Sequence, residues 1–441
     1  MYLPEPVLAC LNALEHAGFA AYAVGGCVRD ACLGQQAQDF DLCTAALPEQ
    51  IQQIFAGHRL VLAGVKHGTV GVVTPMGVIE ITTFRSEGDY LDNRHPQWVR
   101  FVGDIDQDLA RRDFTINAMA YAPGRGFADP FGGRADLARK QLRTVGDPAR
   151  RFGEDALRIL RGLRFAARYD LTIHPDTWQA MCAQAPLLDN LARERVFEEL
   201  CKLLPLLTWQ RTVAYGPILA AAIPELKPLL GFDQHSPHHA YDLFTHVAHV
   251  VEAVPPELPL RWAALLHDIG KVPTFTQDET GRGHFYGHAA VGAELARQVL
   301  LRLKAPTALR TQVEALIAGH MTRLEPDKIA LRRQIRRRGW DQVQALLALQ
   351  AADMGSKGTG IPEEMEIFDE IQEKLQEIAQ EDACLSLKDL AVNGHDLQAL
   401  GLTGRDIGST LNRLLDQVVA EQLPNQRQAL LEEVQRQKED T

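Results

Sequence analysis

Residues 24–44 read VGGCVRDACLGQQAQDFDLCT, and two short runs inside them, VGGCVRD (24–30) and DFDLCT (39–44), decide the fold. The run Ala20–Val24 predicts a strand that stops at Gly25-Gly26. Two glycines between a strand and a helix let backbone N–H groups approach a triphosphate where a side chain would obstruct it. Gly26 and, one turn into the helix, Arg29 are therefore candidate phosphate contacts. Asp39 and Asp41 stand at i and i+2 of a second predicted strand, Asp39–Thr44, which turns both carboxylates to one side. Two like charges on one face repel unless a cation lies between them, and oxygen-only ligands favour a hard ion, Mg²⁺. Such a pair suits two-metal phosphoryl transfer. A DxD met alone is otherwise a solvated strand face.

Working outward, Gly77–Phe84 alternates as a further strand. Its Ile79 and Ile81 serve the core and leave Glu80 on the polar face, either to complete the metal site, to take the proton of an attacking hydroxyl, or as an unrelated surface glutamate. In DLARRDFTINAMAY (108–121), Arg111 and Arg112 open an amphipathic run. Neighbours in sequence do not share a helix face, so one of the two reaches a nucleotide phosphate, and Arg112 is the candidate. Ahead of these lies a helix over Pro6–Ala17. From about Arg150 onward Leu157, Leu160, Leu163 and later segments recur at helical spacing. The fold class is α+β: a small α/β head on a long helical body.

A length of 441 residues predicts two to four domains. The apolar run needed to cross a bilayer and a secretory leader are both missing, and the seven cysteines form no CxxC pair, so a cytoplasmic protein without a zinc or disulfide framework is expected. The first three or four cysteines read as core fillers. The net charge of −11 argues against a polyanion partner until its distribution is considered. Residues 134–168 hold ten basic side chains against four acids, whereas 363–382 hold nine acids and only Lys374. Local charge decides docking, and the basic segment is the expected nucleic-acid face.

GGCVRD, DFD, RRDFTINAMAY, DPFGG (129–133) and RFGEDALRILRGLRFAARY (151–169), in this order, resemble the class II tRNA nucleotidyltransferase and poly(A) polymerase family. The resemblance is dense over roughly residues 20–170. It implies a polymerase-β-like head, with Asp39 and Asp41 as Mg²⁺ ligands and Gly26, Arg29 and Arg112 on the nucleotide. Neck, body and tail helices follow, so that the head spans 1–142, the neck 143–235, the body 236–357 and the tail 358–441. It also implies that CTP, ATP and tRNA are the substrates.

Base choice without a template is read from Glu154–Arg168. Asp155 and Arg158, with Glu154, are expected on one helix flank. The bland reading is a surface ion-pair ladder. Cytosine and adenine both show an amino donor beside a ring-nitrogen acceptor, which an Asp acceptor next to an Arg donor complements. Uracil and guanine reverse the pattern. The resemblance carries this role onto Asp155 and Arg158, with Arg161 and Arg164 further along as nucleotide or helix-positioning contacts. It also implies that the segment RSEGDYLDNRHPQW (85–98) helps the switch from C to A addition, although Arg94-His95 stands where the family often has two arginines.

A second pattern runs through the body: His246, His267-Asp268 in LLHDIGK, and Asp353, with His288 and His320 between. Imidazole and carboxylate ligands suit a transition metal better than Mg²⁺. The arrangement looks like the HD phosphohydrolase superfamily, which implies a metal on His246, His267, Asp268 and Asp353. Rival readings are a poly(A) polymerase or A-adding enzyme of the same superfamily, and an HD phosphohydrolase with a nucleotide-sensing head.

Overall fold

The computed structural model describes residues 1–37, 39–88, 98–236, 240–358, 362–381 and 384–439. They fall into two compact units, one formed by 1–207 with 214–224, the other by 208–213 with 225–441.

The first unit opens with α1 (Glu5–His16), whose Val7, Cys10, Leu11 and Leu14 recur at helical spacing and are buried. It continues through β1 (Ala21–Val24), α2 (Gly26–Cys32), β2 (Asp41–Thr44), α3 (Pro48–Ile54), β3 (Leu60–Val61), β4 (Thr69–Thr74) and β5 (Gly77–Thr83). β6 (Arg85–Glu87) and β7 (Val99–Phe101) pair at the two ends of the predicted 85–98 loop. The middle of that loop, 89–97 with Arg94 and His95, lies outside the described residues. α4 (Ile105–Ala110), β8 (Ala120–Ala122), β9 (Gly126–Ala128) and α5 (Gly133–Ala138) complete the head.

Seven strands form one sheet in the order β3-β4-β5-β2-β1-β8-β9, with β2 and β5 parallel and all other neighbours antiparallel. The register sets Val24 opposite both Asp41 and Ala120, and Asp41 opposite Glu80. One transverse row therefore carries the end of the first glycine strand and two acidic residues. Tyr22, Val24, Cys43, Phe84, Leu109 and Ala120 belong to one buried core cluster of the head. Cys10, Cys27 and Cys43 are buried as expected of fillers, while Cys32 is exposed.

Two local expectations fail for identifiable reasons. DLARRDFTINAMAY is not one amphipathic helix: α4 ends at Ala110 with Arg111 as its cap, and a 3-10 turn (Thr115–Asn117) leads into β8. Buried Asp113 accepts from the Phe114 N–H at 2.8 Å and from Asn117 Nδ2 at 3.0 Å, local bonds that compete with a helical ladder. The Glu154–Arg168 flank is also broken. α6 (Pro148–Glu154) stops at Asp155, which is extended (φ −143°, ψ 101°), and α7 (Leu157–Arg168) starts anew, its Leu157 N–H donating to Asp155 Oδ1 at 3.1 Å. α8 (Pro175–Gln184) and α9 (Arg193–Leu203) follow, then α10 (Trp209–Ala222).

In the second unit, α11 (Leu243–Ala253), α12 (Leu258–Leu266), α13 (His288–Arg302), α14 (Thr307–Gly319) and α16 (Trp340–Gly355) pack together, with Trp262 of α12 fully buried and α15 (Lys328–Arg338) alongside α16. α17 (Pro362–Gln380) begins the acidic stretch, and Glu377 and Glu381 pair with Lys328 and Arg332 of α15. Two of the nine acids of 363–382 are thus answered by basic side chains of the same unit. The last three helices, α18 (Gly394–Ala399), α19 (Arg405–Val419) and α20 (Arg427–Glu439), enclose a small core of Leu397, Leu414, Leu415, Leu430 and Val434. Among the described residues no helix is long and apolar enough to cross a membrane.

Candidate active site

A cavity of about 970 Å³ opens above the acidic row of the head sheet. Gly26, Arg29, Asp39, Asp41, Arg112, Asp155, Arg158, Arg161 and Arg164 all line it; Glu80 is not among its lining residues and stands beside Asp41 on the neighbouring parallel strand. The strand begins at Asp41 and leaves Asp39 in the connection ahead of it, yet both carboxylates meet the same cavity.

Burial, then repulsion from Glu80 and Asp39, lifts the Asp41 carboxyl above the usual carboxylate range, with Arg112 opposing the shift. Carboxylates that hinder one another's ionisation in an oxygen-only set are the donors a hard divalent cation satisfies. The residues present therefore fit Mg²⁺. Arg111 and Arg112 both line the cavity and share Asp108, at 2.9 Å and 3.3 Å, and Arg111 also pairs with Glu87 at 3.2 Å. Gly25, which the sequence reading passed over in favour of Gly26, is the strained position: its φ is +70°, and a Cβ there would lie 2.9 Å from Arg112 Nη1. A side chain at Gly25 would displace that guanidinium.

The arginines form two kinds of contact. Arg29 donates to Asn117 Oδ1, pairs with Asp30 at 2.8 Å, and lies 4.3 Å from the Tyr169 ring centre. Arg161 binds Asp113 through two bonds of 2.9 and 2.6 Å, and Arg164 binds Glu199 at 2.7 Å while covering Phe165 at 4.5 Å. Arg158 holds Glu154 at 2.9 Å and donates to the carbonyls of Arg151 and Arg111. Asp155 pairs with Arg195 of α9 at 3.1 Å. Neither Asp113 nor Arg195 was singled out from sequence, since nothing in their spacing links them to residues 40 or more positions away.

Burial opposes the charge on Asp113, but Arg161, Asn117 and the Phe114 N–H outweigh it and hold its pKa at about 2. A carboxylate depressed below its unfolded value of about 3.9 contributes stability that is complete above that value and is lost as pH falls towards 2. Arg161→Ala is therefore expected to cost about 2–3 kcal/mol at pH 7, because it strands a buried carboxylate. Urea unfolding should show that difference shrinking between pH 4 and pH 2; a constant difference would mean the pair is not electrostatic.

In the second unit a buried cluster joins His246, His267, Asp268 and Asp353. His246 Nε2 lies 3.0 Å from Asp353 Oδ1 and 3.5 Å from Asp268 Oδ2; His267 Nε2 lies 3.1 Å from Asp268 Oδ2. The other ring nitrogens face main-chain oxygens, His246 Nδ1 that of Ser356 (3.2 Å) and His267 Nδ1 that of Ala264 (2.9 Å). A carbonyl only accepts, so each Nδ1 carries the hydrogen and each Nε2 turns a lone pair towards the carboxylates, the arrangement of a metal ligand. Burial works against a charge on His267, but Asp268 and Asp353 raise its pKa above the ordinary value. The donors fit a transition metal.

The acidic strand row, the glycine turn and the arginine-lined cavity define a poly(A) polymerase-type nucleotidyltransferase head, and known family models match it. The poly(A) polymerase head domain matches residues 21–143, a profile named for an RNA- and SrmB-binding site of polymerase A matches 170–214, and tRNA nucleotidyltransferase domain 2 matches 285–434. The CCA-adding enzyme of Streptococcus mutans is 34% identical over 434 residues, spanning 98% of this chain and 97% of its own. That of Geobacillus stearothermophilus is 43% identical over 222 residues, 50% of this chain and 52% of its own. The crystal structure of the Bacillus stearothermophilus CCA-adding enzyme in complex with CTP superposes with a TM-score of 0.74 at 28% identity, covering 99% of this chain and 100% of that one. The chain belongs to the CCA-adding enzyme family.

Proposed function

We propose that the first unit builds or repairs the 3′-terminal CCA of tRNA from CTP and ATP without a nucleic-acid template. The convergence of Asp39, Asp41, Arg112, Asp155 and Arg158 on one cavity carries this reading. The 3′-hydroxyl of the shortened tRNA attacks the α-phosphate of the incoming nucleotide, and pyrophosphate leaves. Asp39 and Asp41 hold Mg²⁺, with Glu80 beside them as third carboxylate or proton acceptor. Mg²⁺ held there would supply activation of the attacking oxygen and stabilisation of the leaving group. Arg29 and Arg112 meet the phosphates at the Gly25-Gly26 turn. Asp155 accepts from the base's amino group while Arg158 donates to its ring nitrogen; Arg161 and Arg164 position the helix that presents them. The segment 143–235 acts as the neck and grips the acceptor stem by shape and phosphate.

One gel decides between this reading and an A-adding or poly(A) enzyme. Transcripts lacking CCA, CA or A are incubated with CTP or ATP alone. The expected result is C addition to the first, A addition to the last, and arrest after one CCA; failure to use CTP, or a growing A tail, overturns it.

The buried His246–His267–Asp268–Asp353 group supports a second, hydrolytic activity of HD type within 236–357, using a transition metal. His267→Ala with Asp268→Ala is expected to remove metal-dependent hydrolysis of 2′,3′-cyclic nucleotides while CCA addition continues. Equal hydrolysis by both proteins would end this part of the proposal.

A further inference from the structure

The transverse row that carries Asp41 and Glu80 continues past the acids. Gly71 of β4 stands opposite Glu80, and Val61 of β3 stands opposite Gly71. Residues opposite one another across a sheet share a face, so Val61 lies on the acidic side. Val78 stands two residues before Glu80 on β5 and shares that face as well. A Cβ on Gly71 would lie 2.8 Å from Val78 Cγ1 and 3.1 Å from Val61 Cβ. The two valines therefore close over the glycine and make one apolar surface beside Glu80.

That surface is open. Val61 is 42% exposed and Val78 51%, with Leu62 and Met76, close to them along the chain, at 48% and 43%. Scattered exposed apolar residues are ordinary, but contiguous ones at the edge of a reacting centre call for an occupant. The direction of the reaction supplies it. In nucleotidyl transfer the attacking and leaving oxygens lie roughly in line, on opposite sides of the α-phosphate. The Gly25-Gly26 turn that meets the triphosphate follows β1, so pyrophosphate departs on the β1 side of Asp41. The attacking hydroxyl then arrives from the other side, over β5, β4 and β3.

We infer that Val61 and Val78 form the seat of the growing tRNA 3′ end, pressing on the ribose and base whose hydroxyl attacks. The inference rests on the CCA-adding reading and names the residues that hold its second substrate at the reacting centre. The end being extended is a different nucleotide at successive additions, so its holder cannot read base edges. Aliphatic side chains offer neither donor nor acceptor and meet any base face alike. Base choice stays with the incoming nucleotide at Asp155 and Arg158. Glu80, between the seat and Asp41, stands where the attacking hydroxyl enters, which accounts for its place outside the cavity lining.

The test uses the full chain and a tRNA transcript ending at the discriminator base, with 4-thiouridine at that last position. After irradiation the adduct is expected in the peptides that carry Val61 or Val78; an adduct confined to other peptides overturns the inference. The double variant Val61→Ser/Val78→Ser leaves every charge in place. Its KM for the transcript is expected to rise about tenfold, through lost contact with two valines, while KM for CTP and the urea midpoint stay unchanged. Val61→Ile/Val78→Ile should keep the parent's KM. An unchanged transcript KM in the serine variant overturns the seat, and a dimer-to-monomer change in ultracentrifugation beside it gives the face to a second copy of the chain. If the parent adds no C to the transcript, the CCA-adding reading falls as well; C addition with adducts elsewhere removes the seat alone. The adduct decides even if the serine variant fails to fold.

Discussion

Asp41→Ala is expected to reduce the incorporation of C and of A by about a thousandfold or more, with the chain still folded. Polarising a phosphoryl oxygen with a bound cation is worth several kcal/mol, and about 4 kcal/mol corresponds to a thousandfold in rate. Asp41 opens β2, where it faces the cavity with its charge hindered by Glu80 and Asp39. Removing it relieves that repulsion, so stability should hold or rise slightly while the cation site is lost. This opposition of signs separates a functional carboxylate from a structural one. Urea unfolding and incorporation of each labelled nucleotide are measured on the same preparation. Loss of C addition alone would assign Asp41 to base choice; loss of both with a collapse in stability would make it a fold residue. Asp39→Ala should behave alike. Glu80→Gln should show a smaller loss, because Glu80 stands outside the cavity lining.

The parts of this site that could be read from sequence are those whose geometry is local. Gly25-Gly26 and the Asp39/Asp41 pair depend on strand periodicity and on a turn a few residues long, and β1, β2 and β5 appear within two residues of their expected bounds. DPFGG was read only as part of a resemblance, and its reason is tertiary: a Cβ on Gly133 would sit 2.2 Å from the Thr115 carbonyl oxygen. Asp129 caps the helix that follows by accepting from the Gly133 and Arg134 N–H groups at 2.6 and 3.0 Å. The motif wedges α5 against the turn before β8.

The helical pattern from Arg150 to Arg168 misled because hydrophobic period carries across a single extended residue. Phe152, Ala156 and Leu160 are fully buried at intervals of four residues across Asp155, so the break leaves no trace in their spacing. The basic excess over 134–168 was likewise only partly a polyanion signal. Arg143, Arg151, Arg158, Arg161 and Arg164 all pair with carboxylates inside the first unit. Composition counts charges but not their partners. In the second unit the clustered histidines and aspartates come from α11, the end of α12, α13, α14 and α16. The His-Asp dipeptide was conspicuous, whereas the pairing of His288 with His320, 32 residues apart, exists only in the packed helices.

Arg158→Ala is expected to weaken discrimination against UTP by about a hundredfold while leaving measurable transfer of C and A. The argument starts from what Arg158 touches: Glu154 and the carbonyls of Arg151 and Arg111 fix its guanidinium from three directions. Asp155 is held from two, by the Leu157 N–H and by Arg195. A rigid donor beside a rigid acceptor cannot re-aim to suit uracil, whose carbonyl and N–H would oppose Asp155 and Arg158 like to like. Each buried mismatch costs about 1–3 kcal/mol, and about 3 kcal/mol is a little over a hundredfold. Deleting Arg158 removes one clash and frees the space of the other. Asp155→Asn should relax choice less, since its amide can turn to donate to uracil O4 while Arg158 still opposes the ring N–H. Arg195→Ala should act through Asp155, loosening its aim and reducing C and A transfer together. The ratio of kcat/KM for CTP to that for UTP, measured on one tRNA transcript ending at the discriminator base, orders the variants. A CTP-to-UTP ratio in Arg158→Ala equal to that of the parent would show that this arginine positions the helix and that the base is read elsewhere.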